Sequence, residues 1–133
     1  MKINKMFSPC LLGLQRPGIL VPQPGPILPI GDGQPVVAPV GSQIAELEYV
    51  KITLTCPTEG IPPPKIRWRK DGVDLVHGER YLIDDKGSLT IQETLIWDSG
   101  KFTCSAENAA GLDEVTSSVD ILGMLSPDRK SVV

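Results

Sequence analysis

The chain has 133 residues, 41% of them apolar and 22% charged, the balance of a single globular domain with ordinary tails. A formal net charge of -3 offers no general attraction to nucleic acid or to an anionic membrane, and no apolar run approaches the roughly 20 residues that span a bilayer. The three cysteines, Cys10, Cys56 and Cys104, leave at least one thiol unpaired or paired between chains.

Residues 1–34 read as tail and linker. Lys2 and Lys5 precede a mostly apolar stretch over residues 6–14, but Pro9 interrupts it and no small-x-small site follows before Arg16. That is a poor signal peptide, and it suits a fragment or alternative product of a longer protein. Seven of the 13 prolines fall between Pro17 and Pro39. Each lacks a donor and restricts its neighbour, so the run from Pro22 to Pro29 is expected to be an extended spacer. Pro26 and Pro29 make a minimal PxxP without a flanking basic residue, which favours a linker over an SH3 ligand. The expected organisation is a largely unstructured segment over 1–34, one domain over 35–123 and a C-terminal tail over 124–133.

From Val36 onward the apolar period is two. Val50, Ile52, Leu54 and Cys56 alternate with polar residues, as do Ile66 with Trp68, Leu89 with Ile91, and Phe102 with Cys104 and Ala106. Val115, Val119 and Ile121 mark a fifth such run. Alternation of this kind predicts half-buried strands. Between them stand Asp71-Gly72, Asp85-Lys86-Gly87, Asp98-Ser99-Gly100 and Asn108-Ala109-Ala110-Gly111, residue types that tolerate tight turns. Short strands separated this way predict an all-β sandwich or barrel. No long stretch carries a helical period.

Catalytic chemistry finds no support. His77 is the lone histidine, no His/Cys cluster has metal-ligand spacing, and no GxSxG, HExxH or phosphate-binding glycine loop is present. Asp84 and Asp85 sit where a turn wants Asp for backbone reasons. The chain is therefore expected to be neither an enzyme nor a cofactor or metal binder. Asn4 and Asn108 both lack the hydroxyl two residues on that N-glycosylation needs.

The motifs Gly60-Ile61-Pro62-Pro63-Pro64 before Ile66-Arg67-Trp68, then Gly87-Ser88-Leu89-Thr90-Ile91, Asp98-Ser99-Gly100 and Ala106-Glu107-Asn108-Ala109-Ala110-Gly111 occur in one order. Together they resemble the immunoglobulin superfamily and, within it, the intermediate or I-set type, over residues 36–122. The resemblance implies a two-sheet antiparallel β-sandwich with an inter-sheet disulfide between Cys56 and Cys104 and Trp68 packed on it. It marks Trp68, Leu89, Asp98, Gly100 and Phe102 as core signature positions. Cys10 is then the odd thiol, and the bridge implies an oxidising compartment. The alternative is a pair of reduced core thiols, as in intracellular muscle domains of the same set. The chain departs from the family at Phe102, where a Tyr usually ties the E–F corner with its hydroxyl; that bond, of about 1 kcal/mol, is expected to be missing.

Two features could carry binding. Lys65, Arg67 and Arg69 face outward on one predicted strand, and antiparallel pairing would bring Lys101 towards Arg69 and Glu107 towards Lys65. The result is either a basic stripe for an acidic protein or a sulphated glycosaminoglycan, or an ordinary solvated face. Trp97, just before Asp98, either anchors a partner or caps the lower end of the core with Leu95 or Ile96. The C-terminal Lys130-Ser131-Val132-Val133 matches a PDZ ligand only in a short, chance-prone way. The expected function is an extracellular adhesion or matrix module that binds a protein ligand or neighbouring immunoglobulin domains, with no nucleic acid partner and no membrane span. The alternative is an intracellular sarcomeric structural domain without a disulfide.

Overall fold

The computed structural model describes residues 13–123. Cys10, most of the candidate signal segment and the tail 124–133, with its PDZ-like ending, lie outside the described residues. The described strands are Gln15–Ile19 (β1), Val36–Pro39 (β2), Gln43–Leu47 (β3), Ile52–Thr55 (β4), Thr58–Ile61 (β5), Lys65–Lys70 (β6), Val73–Asp74 (β7), Tyr81–Ile83 (β8), Leu89–Ile91 (β9), Gly100–Asn108 (β10) and Gly111–Leu122 (β11). The only regular helical element among the described residues is a single 3-10 turn over Ile96–Asp98.

Two sheets form the sandwich, in the orders β3-β11-β10-β6-β7 and β2-β4-β9-β8. Period-two alternation sends Ile52 and Leu54 of β4 and Leu89 and Ile91 of β9 inward from one sheet. Trp68 of β6, Phe102, Cys104 and Ala106 of β10, and Val115, Val119 and Ile121 of β11 meet them from the other. Each Val, Ile, Leu or Phe among them, taken wholly out of water, contributes about 1.5–3 kcal/mol. Central pairings are antiparallel, but β3 runs parallel to β11 and β2 parallel to β4, so two pairings depart from a purely antiparallel sandwich.

The Cys56–Cys104 disulfide ties the two sheets together and closes a loop with a sequence separation of 48. A cross-link over a loop of that length stabilises by about 2–4 kcal/mol. Trp68 lies directly across from Cys104 in the β6–β10 register, and its indole N–H donates to the Gly87 carbonyl at 2.8 Å. Gly87 has φ 92°, and a Cβ there would stand 3.1 Å from Ile66 and 3.3 Å from the Cys56 carbonyl. Glycine is therefore the residue that lets the turn approach the Trp68 ring. Gly100 is constrained in the same manner, with φ 155° and a hypothetical Cβ 2.6 Å from the Asp71 carboxylate.

The largest difference from expectation is in residues 13–34, which are structured. β1 pairs with β5 as a separate two-stranded sheet, and Ile19 joins the core at 6% exposure. The Asn108 side-chain amide donates to the carbonyls of Gln15 and Pro62, Arg16 donates to Ala110 O, and Ile19 N–H donates to the Asp113 carboxylate. Further on, Leu28 N–H donates to Gln43 O, Gln43 N–H to Pro26 O and Gly31 N–H to Ala45 O. The prolines remove their own donors, but the residues between them retain enough N–H groups to lay the segment along β3. Glycines supply the close approach: a Cβ at Gly25 would stand 2.3 Å from the Gly41 carbonyl carbon.

Candidate interaction surfaces

The outward face of β6, β10 and β11 carries the predicted cations, and the register decides what lies beside them. Lys65 is opposite Glu107, Arg67 is opposite Ser105 and Arg69 is opposite Thr103, with Lys101 two residues along from Thr103, at the Arg69 end as expected. Lys101 sits farther along, where its N–H donates to the Asp71 carboxylate at 2.9 Å, with Ser118 across from it on β11. The Lys101 N–H and then the Lys70 ammonium, at 3.2 Å, hold the Asp71 carboxyl below its ordinary value. Arg69 pairs with Asp74 at 3.3 Å and with Glu114 at 3.4 Å, and Ser105 donates to Glu114 at 2.8 Å.

Arg69 thus has Asp74 and Glu114 as partners, Lys65 has Glu107 opposite, and the Lys101 backbone holds Asp71, while Arg67, opposite Ser105, joins none of the ion pairs among the described residues. Lys65, Arg67, Arg69 and Lys101 are interleaved with Glu107, Glu114, Asp74 and Asp71. This corrects the expectation of a basic stripe with one acid at its end. Asp74 escaped notice because it comes from the two-residue strand β7, and Glu114 because it precedes Val115, where the alternating run of β11 begins.

At the opposite pole from the Asn108 contacts, the chain leaves β11 beside the turn that carries Trp97. Trp97 is 70% exposed, which excludes its packing into the lower core; Ile96 is exposed beside it. Tyr49 lies at the same end, 57% exposed, with φ 67°. A left-handed backbone is costly for a bulky residue and persists only where the surroundings impose it. Here Tyr49 N–H donates to Thr94 O at 2.7 Å, while the buried Thr94 hydroxyl accepts from Val50 N–H. Ile96 N–H donates to the Glu48 carboxylate, Glu48 N–H to Leu122 O, and Ile121 N–H to the Ser99 hydroxyl. These bonds gather Tyr49, Ile96 and Trp97 around the point where the chain exits.

Beneath them lies Asp98, fully buried, which accepts from Leu95 N–H at 2.7 Å, from the Tyr81 hydroxyl at 2.8 Å and from the Arg80 guanidinium. Burial, then the hydrogen bond to Asp98, pushes the Tyr81 hydroxyl up from 10.0 to about 12. The corner is therefore tied by a tyrosine after all, from β8 instead of β10, while Phe102 fills the core beside it with ring centroids 6.3 Å apart. Arg80 and Tyr81 were missed because they lie 18 and 17 residues before Asp98 in a segment with no clear period. Tyr49 was findable: Val50, Ile52 and Leu54 point inward, so parity alone aims Tyr49 out.

The remaining titratable residues make no convergent site. His77 Nδ1 accepts from Ile83 N–H at 3.0 Å, and Asp84 accepts from the N–H groups of Lys86 and Ser88. Among the described residues no group of three or more His, Cys, Asp or Glu could hold a metal ion.

The immunoglobulin I-set domain family matches residues 37–121. This chain belongs to the immunoglobulin superfamily as an I-set member. It is 46% identical over 63 residues to mouse Hemicentin-1, covering 47% of this chain and 1% of that protein. It is 36% identical over 83 residues to human Roundabout homolog 2, covering 62% and 6%, and 33% identical over 105 residues to human Papilin, covering 79% and 8%. The chain thus spans a small fraction of the length of these curated relatives, whose matching parts are immunoglobulin modules of adhesion and matrix proteins. Among solved structures, a titin–obscurin-like 1 immunoglobulin complex matches with a TM-score of 0.61 at 26% identity, covering 82% of this chain and 96% of that one. The extracellular domains 3-5 of Drosophila OTK match with the same TM-score at 25% identity, covering 82% and 32%.

Proposed function

We propose that this I-set domain is a non-catalytic protein-interaction module of an extracellular adhesion or matrix protein, working as one unit of a longer modular chain. The observation that carries the reading is the exposed end formed by Tyr49, Ile96 and Trp97 on a sandwich already locked by Cys56–Cys104. Aromatic side chains held out on a rigid frame are the usual anchors of protein interfaces, and the strained Tyr49 backbone fits a position kept for contact. The adhesion and matrix relatives point to the same class of protein.

A sulphated glycosaminoglycan is the weaker partner, because the acids interleaved with Lys65, Arg67, Arg69 and Lys101 cancel the local field a polyanion would follow. The likeness to titin supports the alternative, an intracellular structural domain, whose cysteines would be reduced. Intact mass after thiol alkylation without reductant separates the two. One alkyl group, on Cys10, is expected for the bridged extracellular form; three would overturn the extracellular reading in favour of the sarcomeric one. Trp97→Ala tests the binding end: extracellular-matrix proteins retained by the immobilised chain should be lost with this variant and kept by Arg67→Glu/Arg69→Glu. Retention that ignores Trp97 would remove that end from the interface.

A further inference from the structure

The arm over residues 13–31 follows the sandwich from one pole to the other. β1 closes the upper end against β5, and residues 26–31 then run parallel beside β3, with Ile27 bridged to Gln43. Without this arm, β3 would be the free edge of the five-stranded sheet, a row of unpaired backbone groups open to another strand. Along β3 the arm is lightly held. Pro22, Pro24, Pro26 and Pro29 have no N–H to give, and the bonds along β3 come down to Leu28 N–H, Gly31 N–H and the Pro26 carbonyl.

Its far end rests on an unusual group. Glu46 of β3 is 1% exposed and takes part in none of the ion pairs among the described residues. Its carboxylate accepts from Leu47 N–H at 2.8 Å and from Gly33 N–H at 3.2 Å. Gly31 lies across it so closely that any side chain there would collide with the carboxylate. Burying a carboxylate without a cation is unfavourable, so covering Glu46 works against the seated arm and lowers the barrier to its release. The same geometry makes the edge selective. An incoming strand needs glycine over Glu46, glycine against Gly41 and an apolar residue at the Leu28 position, which packs on the core. The segment known to satisfy all three is the chain's own.

We propose that the β3 edge takes the arm of a second copy of this chain, so that two molecules exchange residues 13–31 and form a two-fold dimer. The hinge is Asp32-Gly33-Gln34-Pro35, with Gly33 at φ 94°. Opening it lets the arm reach outward while every contact of β1 and of residues 26–31 is remade on the partner. Reciprocal exchange of an identical element closes on itself and leaves neither β3 edge unpaired.

Disulfide trapping tests this on the full chain. In a Cys10→Ser background, Ile27→Cys/Gln43→Cys puts two thiols at bridged positions whose side chains are exposed. Exchange predicts a covalent dimer of twice the chain mass on non-reducing electrophoresis, with a share that rises with the protein concentration during folding. A cross-link confined to single chains at every concentration overturns the proposal. So does an equal yield of dimer from Ile27→Cys or Gln43→Cys alone, which signals random collision. A second route needs no new cysteine: deleting Gly33 and Gln34 shortens the hinge so that the arm cannot fold back on its own β3. That variant should shift from monomer to dimer by light scattering, and a monomer would overturn the proposal.

Discussion

The Tyr81 hydroxyl donates to the Asp98 carboxylate at 2.8 Å, linking edge strand β8 to the corner turn below the exit point. Tyr81→Phe removes this bond and should lower stability by about 1 kcal/mol at neutral pH. The bond also sets an alkaline signature. Tyr81 is raised from 10.0 to about 12 in the folded state, so its contribution is fully present below pH 10 and is lost as pH rises towards 12. Denaturant midpoints of wild type and Tyr81→Phe should converge across that window. A constant separation from pH 8 to 12 would contradict the assignment.

The two tryptophans should behave as opposites. Trp68 is 1% exposed and hydrogen-bonded, so Trp68→Ala should cost about 3–5 kcal/mol, enough to unfold a domain of this size at physiological temperature. Trp97→Ala should change stability by less than about 0.5 kcal/mol. In fluorescence, iodide should quench the Trp97 component and leave that of Trp68. Thermal melts and quenching titrations of both variants check the pair.

Removal of residues 1–33 should destabilise the domain, because Ile19 leaves the core and the β3 edge is uncovered. Burial of one aliphatic side chain of this size contributes about 1.5–3 kcal/mol, which sets the expected loss. Calorimetry of the chain starting at Gln34 measures it. An unchanged melt would mean that the arm is seated without contributing to stability.

On a heparin column the wild type should elute at low salt together with Arg67→Glu/Arg69→Glu, since Arg69 is already paired with Asp74 and Glu114 and Lys65 faces Glu107. Surface pairs of this kind are individually weak, worth about 0–1 kcal/mol, yet they suffice to cancel a local field. Retention lost in that double variant but not in Lys51→Glu/Lys86→Glu would restore a polyanion site.

The central sandwich was legible because its signal is local. The parity of Val50, Ile52, Leu54 and Cys56 fixes which face of β4 is buried, and Trp68 and Phe102 follow the same rule on β6 and β10. The arm was illegible for a physical reason: prolines forbid regular ladders, and its seat depends on Gly25 and Gly31 approaching Gly41 and Glu46, which are distant in sequence. The mixed charge of the outer face was half legible. Parity placed Lys65, Arg67 and Arg69 outward, but Asp74 and Glu114 reach Arg69 only through neighbouring strands. Parity likewise exposes Tyr49, whereas the exposure of Trp97 depends on how the corner turn closes over Asp98.

Asn108 would be a point of chemical ageing. Its side-chain amide is the common donor to Gln15 and Pro62, and its oxygen accepts from Ala110 N–H, so one amide nitrogen joins the arm, the proline turn and the β10–β11 hairpin. Hydrolysis of that amide to a carboxylate, a slow spontaneous reaction in long-lived proteins, would replace the donor with a negative oxygen facing two carbonyl oxygens. The upper closure would then turn from attraction to repulsion and loosen the strand that brings Ile19 to the core. In a molecule that is rarely renewed, the arm would loosen with age, and Asn108 would act as its timer.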